Sequence, residues 1–401
     1  MADDERDARR GLACAVEAGD SRLPTVLEEV GPVDAWRGLV ATTMESPWGA
    51  RAKRVDLEAL RAAEAACGAR FVIPSDDEWP QRLQSLRGCK EVQGMTGEPV
   101  GLWVRGQAPL AEVVERSVAI VGSRAATALG ERVASDLAAE LASAGVTVVS
   151  GGAYGVDAAA HRGALAVAGT TVAFLAGGPA HEYPRGHASL LQQIAATGLV
   201  VSEQPPGEVP SRLRFLSRNR LIAASSLGTV VVEAAARSGA RNTSTWAREC
   251  GRPVMAVPGP VTSATSFTPH QLIREADAVL VTCAEHVLTE VGPLRPERES
   301  EGGAQGQPRL LDMLVPADAA VYEALPSRGA RPVGELALRA GVAVPACLGA
   351  LQRLAEMGLA EPATGGRWRL GRAQDRPLLP REAAAGVPRR GVPRQGREHG
   401  A

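Results

Sequence analysis

The chain has 401 residues, 45% of them hydrophobic, which supplies more than one core and excludes a single small domain. Its net charge of −1 excludes a global positive field, so any nucleic-acid contact has to come from a local patch. The six cysteines are scattered with no C-x-x-C pair, the amino terminus is charged, and no apolar run approaches the roughly 18 residues of a membrane span, so the expectation is a cytoplasmic protein with reduced thiols, no metal and no membrane contact.

Residues 1–65 place Leu23, Val26, Leu27 and Val30, then Val55, Leu57 and Leu60, at helical spacing, which predicts a small helical module. Residues 66–115 hold two short apolar runs, 71–74 and 102–106, read as strands that extend the edge of a larger sheet. From 116 to 291 strands alternate with helices. Strands are predicted at 118–121, 146–149, 171–175, 199–201, 229–232, 253–257 and 278–281, each an apolar run suited to burial on both faces. Between them, helices are predicted at 190–196, 221–226, 237–250 and 270–276, among others. This alternation predicts an α/β fold on a doubly wound, mostly parallel sheet, with ligand loops at the carboxyl ends of its strands. Residues 292–308 read as a Pro- and Gly-rich linker, 309–371 as three short helices and a hairpin resembling a winged helix, and 372–401 as a disordered Arg-rich tail.

Two turns suit an anion: Gly122-Ser123-Arg124 after the first strand of the main sheet, and Ser150-Gly151-Gly152 after the second. Small residues let backbone N–H groups approach a phosphate, the following helix adds the positive end of its dipole, and Arg124 adds a forked cation. Neither turn is a G-x-G-x-x-G or P-loop signature, and turns this small also serve packing alone. Arg218-Asn219-Arg220, expected at the start of the helix 221–226, put two more forked cations at the same edge, with Phe215 as a stacking face. The other reading is a salt-bridged helix start answered by Glu203 or Glu233. The loop with His181 and Glu182 reads as a polar lip of the cleft. Glu233, after Gly228-Thr229, keeps open a Rossmann-like hydrolase of nucleotide N-glycosidic bonds with Glu233 as its acid, and a third reading is a nucleotide sensor that reports through the winged helix.

As a set, these motifs resemble the DNA-processing protein A family, DprA, also called Smf. The resemblance is carried by 118–124, Ser150-Gly151-Gly152-Ala153-Tyr154-Gly155-Val156-Asp157 with Ala160-His161, Gly163-Ala164-Leu165, Tyr183-Pro184, Ser202-Glu203, Arg218-Asn219-Arg220, Val232-Glu233-Ala234, Ser238-Gly239, Gly251-Arg252 and Val257-Pro258-Gly259. They stand in family order over roughly 115–290. The resemblance implies an extended Rossmann-like domain that binds single-stranded DNA without hydrolysing it, self-associates as a homodimer, and passes the strand to the recombinase RecA in natural transformation. It implies no catalytic residue and no cofactor. Its phosphate-holding turn maps to Gly122, Ser123 and Arg124, its second turn to Ser150, Gly151 and Gly152, and its arginine loop to Arg218, Asn219 and Arg220. The chain departs from the family in Phe215-Leu216-Ser217, where Phe-Pro is usual, in His187, in Arg241-Asn242, where an apolar pair is usual, and in Glu275.

Overall fold

The computed structural model describes residues 2–292 and 314–371; the 372–401 tail, and the expected 292–308 linker apart from Gly292, lie outside them. In the first of two units, Met1–Arg295, the chain opens with α1 (Ala2–Ala15), α2 (Leu23–Ala41), α3 (Pro47–Ala52) and α4 (Leu57–Ala66). Ser46 and Asp56 start α3 and α4 by accepting N–H groups of the first turn, and α2 breaks at Gly31, where φ is 75°, ahead of Pro32. Next come β1 (Ala69–Val72) and β2 (Leu102–Arg105), an antiparallel pair. Glu64 of α4 ties the helices to this pair. Nearly buried, it accepts from Arg10 of α1 and from the indole of Trp103 in β2.

The rest of the unit alternates: α5 (Leu110–Glu115), β3 (Ser117–Val121), α6 (Ala128–Ser143), β4 (Thr147–Ser150), α7 (Val156–Ala166), β5 (Thr171–Leu175), α8 (Ala188–Thr197), β6 (Leu199–Ser202), α9 (Arg212–Ser225), β7 (Thr229–Val231), α10 (Ala240–Glu249), β8 (Val254–Ala256), α11 (Phe267–Arg274), β9 (Val279–Leu280) and α12 (Ala284–Val291). The sheet order is β1-β2-β6-β5-β4-β3-β7-β8-β9, parallel from β6 to β9, with β2 antiparallel to β6. Ala119 of the central β3 stands opposite Val149 on one side and Thr229 on the other. The chain winds from β3 out to β6, then returns to wind the other way through β7. The carboxyl ends of β3 and β7 are therefore the switch point, where connections part and a cleft opens.

Side chains of β3 alternate between two cores. Val118 and Ile120 pack with Leu137 and Leu141 of α6 and with Val156 of α7, whereas Ala119 and Val121 pack with Leu221 and Ile222 of α9 and with Trp246 of α10. Both faces of the strand are buried, as its unbroken apolar run requires.

All seven strands expected in the main sheet form, and β1 and β2 extend its edge. All four helices with stated bounds begin elsewhere than expected, those at 190–196 and 270–276 a little earlier, at Ala188 and Phe267. The helix expected at 221–226 begins at Arg212, where Ser211 Oγ accepts the Arg214 N–H, and the helix expected at 237–250 begins at Ala240. The start at Arg212 moves Arg218, Asn219 and Arg220 from a helix start to a helix interior. Every residue from Ser217 to Ser225 is buried, so α9 has no polar stripe to set against an apolar one. The cysteines are also less scattered than the sequence implied: Cys89 and Cys250 face each other with 3.4 Å between sulfurs.

The second unit, Pro296–Ala401, contains α13 (Pro316–Ala324), β10 (Arg331–Pro332), α14 (Val333–Ala340), α15 (Val344–Glu356), β11 (Ala360–Ala363) and β12 (Arg367–Leu370). Its strands form an antiparallel sheet in the order β10-β12-β11. Val321, Leu336, Leu351 and Leu354 form its core, and the fork from Arg353 to Asp318 holds that carboxyl below the usual carboxylate range. Among the described residues no single helix is long and apolar enough to cross a membrane.

Candidate nucleic-acid interface

The two small-residue turns are joined through their backbones. Val156 N–H, at the start of α7, donates to the Ser123 carbonyl at 3.2 Å. Gly155 makes this approach possible: its φ is 73°, and a Cβ there would lie 2.3 Å from the Ser123 oxygen. The turn after β3 therefore rests on the turn after β4.

Beneath them lies Arg218. A Cβ on Gly151 would stand 1.6 Å from Arg218 Nη1, so the guanidinium presses directly against that turn. Its Nη1 donates to the Phe174 carbonyl at the end of β5 at 2.9 Å, while its buried Nε has no partner among the described residues. Burial pushes this guanidinium down to about 10; Asp157 opposes the shift and Arg124 adds to it. The Asp157 carboxyl, in the first turn of α7, is pushed up by its own burial, with Arg218 pulling the other way. His161 completes this layer. Thr171 Oγ1 donates to Val148 O, so it accepts from His161 Nδ1 at 2.7 Å, and His161 Nε2 is buried with no partner among the described residues. Burial first, then the nearby Arg218, His187 and Arg162, push this imidazole down to about 3.

Arg220 is fully enclosed and paired. Both terminal nitrogens meet the Glu203 carboxylate at 2.6 Å, and Nε donates to Gly97 O at 3.0 Å. The salt-bridged alternative thus describes Arg220, with Glu203 as its partner. Glu233 orders neither arginine. Its carboxylate accepts the Thr127 N–H at 2.9 Å and the Thr127 hydroxyl at 2.7 Å, where α6 begins. Asn219 donates from Nδ2 to Gly239 O and to Asn242 Oδ1.

On the surface the arrangement reverses. Arg124 is exposed, and its guanidinium lies 4.2 Å over the centre of the Phe215 ring, which also meets Tyr183 at 5.9 Å. The ring face expected to receive a base therefore carries the arginine. From this contact an open groove of about 640 Å³ runs between the starts of α9 and α10. Arg124, Arg212, Arg237 and Arg241 line it together with Gln93, Ser238 and Asn242, and no aspartate or glutamate lines it. Arg241 bonds only the neutral Gln271 amide. None of the four has a carboxylate partner among the described residues.

Of the residues singled out in the sequence, Gly122, Ser123, Arg124, Ser150, Gly151, Gly152 and Phe215 meet at the switch point, with Arg218 directly beneath. Asn219 and Arg220 lie deeper. Arg212, Arg237 and Gln93 were missed, although a signal for the arginines exists: the chain has no acidic residue from 209 to 232 or from 234 to 248.

The pattern of a known family, described as DNA recombination-mediator protein A, matches residues 70–292. The DNA processing protein DprA of Mycobacterium tuberculosis is 45% identical over 372 residues, 90% of this chain and 93% of that one. Protein Smf of Escherichia coli is 36% identical over 313 residues, 75% of this chain and 78% of its own. The X-ray structure of DNA processing protein A from Streptococcus pneumoniae superposes with a TM-score of 0.59 at 30% identity, over 70% of this chain and 96% of that one.

Proposed function

The chain belongs to the DNA recombination-mediator protein A family, and on that premise we propose that it is a cytoplasmic protein that binds single-stranded DNA regardless of sequence and presents it to the recombinase RecA. The observation that carries this reading is Arg124: an exposed guanidinium without a carboxylate partner, braced on Phe215 beside two turns of small residues at the switch point. Gly122 and Ser123, half-buried after β3, offer backbone donors to a phosphate. Ser150, Gly151 and Gly152, buried at the end of β4 with the Gly151 N–H held by Asp157, shape the floor of the site, and Arg218 lends its charge there. Asn219 and Arg220 act by holding α9 in place. Phosphate contacts carry no sequence information, and with aromatic residues at 3% of the chain, stacking is a minor part of the affinity.

No residue is assigned a catalytic part. Glu233, the acid a nucleotide hydrolase would need, has both carboxylate oxygens committed to the start of α6. Self-association as a homodimer fits β9, an edge strand whose Val279 and Leu280 are both exposed. Two copies would double the phosphates held.

Fluorescence anisotropy of a labelled oligo-dT across a salt series tests the reading. The native chain should bind the single strand in preference to duplex, and Arg124→Ala should flatten the log–log salt slope by about 0.7, the value of one phosphate contact. Binding indifferent to Arg124 would remove the site assignment.

A further inference from the structure

Resting on that reading, we infer that the groove between α9 and α10 is a second phosphate track, along which a bound strand continues from Arg124 to Arg241. Charge is the first reason. Many arginines of this unit are answered by carboxylates, as Arg10 is by Glu64, Arg214 by Glu17 and Glu208, and Arg248 by Asp277, and others by backbone carbonyls, as Arg82 is by Val114 and Arg105 by Pro179. In the groove four arginines from three separate segments share one opening that no carboxylate lines. Such a row is self-repelling when empty and is relieved by a ligand with repeated negative charges.

The second reason is the direction of a hydrogen-bond relay. Asn219 Nδ2 donates to the backbone carbonyl of Gly239, which identifies that end of the side chain as the amine. Asn242 Oδ1 accepts from the same amine at 3.1 Å, so Asn242 Nδ2 is the donor to Gln93 Oε1 at 3.2 Å. The relay therefore ends at Gln93 Nε2, on an exposed residue of the groove wall, and presents a donor to whatever lies there. Gln93 is held for this at a φ of 52°, a left-handed conformation uncommon outside glycine. Arginines and an amide donor together match phosphate oxygens.

Position is the third reason. Arg124 follows β3 and Arg237 follows β7, the two strands that bound the switch point. The groove starts where the first site ends.

The test uses the full chain and labelled oligo-dT of about six and about twenty nucleotides, lengths spanning the usual range of single-strand sites. In the double variant Arg237→Ala/Arg241→Ala, the salt slope for the longer strand should flatten by about 1.4, two contacts at about 0.7 each, while the shorter strand binds as to the native chain. Gln93→Glu, which replaces the donor by a carboxylate, should weaken only the longer strand, whereas Arg124→Ala should weaken both. A native slope for the longer strand in the double variant, with Arg124→Ala still impaired, would overturn the track and leave the first site standing. Equal losses for both lengths would assign the arginines to the first site and also overturn the track. If the native chain binds neither strand, both readings fall.

Discussion

Two sets of arginines share this site under opposite physical rules. On α9, Arg218 and Arg220 are buried, and each is placed by what it bonds: a strand-end carbonyl for one, a carboxylate fork for the other. Around the groove, Arg124, Arg212, Arg237 and Arg241 line an open surface and meet an aromatic face, a neutral amide or solvent. A buried charge whose hydrogen bonds are made is committed to the fold, which describes Arg220. Arg218, with one carbonyl bond and a buried Nε unpartnered among the described residues, keeps part of its field for the turn it presses on. An exposed charge costs the fold little and keeps its field for a ligand. Membership of one sequence motif therefore does not make residues equivalent.

The strongest way to break this division is Arg220→Ala, which strands Glu203 in the interior. Urea unfolding should show a loss of about 3–5 kcal/mol. Arg124→Ala, removing only the stacking on Phe215, should lose about 0.5–1 kcal/mol. Equal losses in the two variants would erase the distinction between inner and outer arginines.

Gly151→Ala probes the contact between the layers. Its added Cβ would stand 1.6 Å from Arg218 Nη1 and drive the guanidinium off the Phe174 carbonyl. A destabilisation of about 1–3 kcal/mol is expected from such overpacking, together with weaker strand binding. Native stability in this variant would mean that Arg218 does not brace the turn.

A smaller effect separates the inner layer by pH. His161 is neutral when folded, its value pushed from the ordinary 6.5 down to about 3, so below 6.5 the unfolded chain takes up a proton that the folded chain refuses. Its contribution is fully present above 6.5 and is lost as pH falls toward 3, with a slope of up to about 1.4 kcal/mol per pH unit. Unfolding midpoints between pH 8 and 5 should fall more steeply for the native chain than for His161→Gln, the titrations common to both cancelling. Parallel curves would show an imidazole that titrates freely.

The strands were legible because a sheet covered on both faces demands unbroken apolar runs, and 118–121, 146–149 and 171–175 have no other reading. The turns at Gly122 and Gly151 were legible because little besides glycine permits such close approach. Helix α9 was not. Periodicity marks a helix by contrast between two faces, and from Ser217 to Ser225 α9 has only one kind of face, buried all round. A run such as Ser217-Arg218-Asn219-Arg220 then reads as surface, although each side chain finds its acceptor inside.

By itself the sequence carried the family resemblance in its motifs and determined the parallel sheet and the small-residue turns at its carboxyl edge, because apolar runs and residue size are local. Tertiary structure alone decided that Glu203 rather than Glu233 answers Arg220, that Glu233 starts α6, and that arginines from three segments line one groove. Ion pairs and shared surfaces depend on distances between segments far apart in the chain, and only the packing of α9 and α10 against the sheet sets those distances.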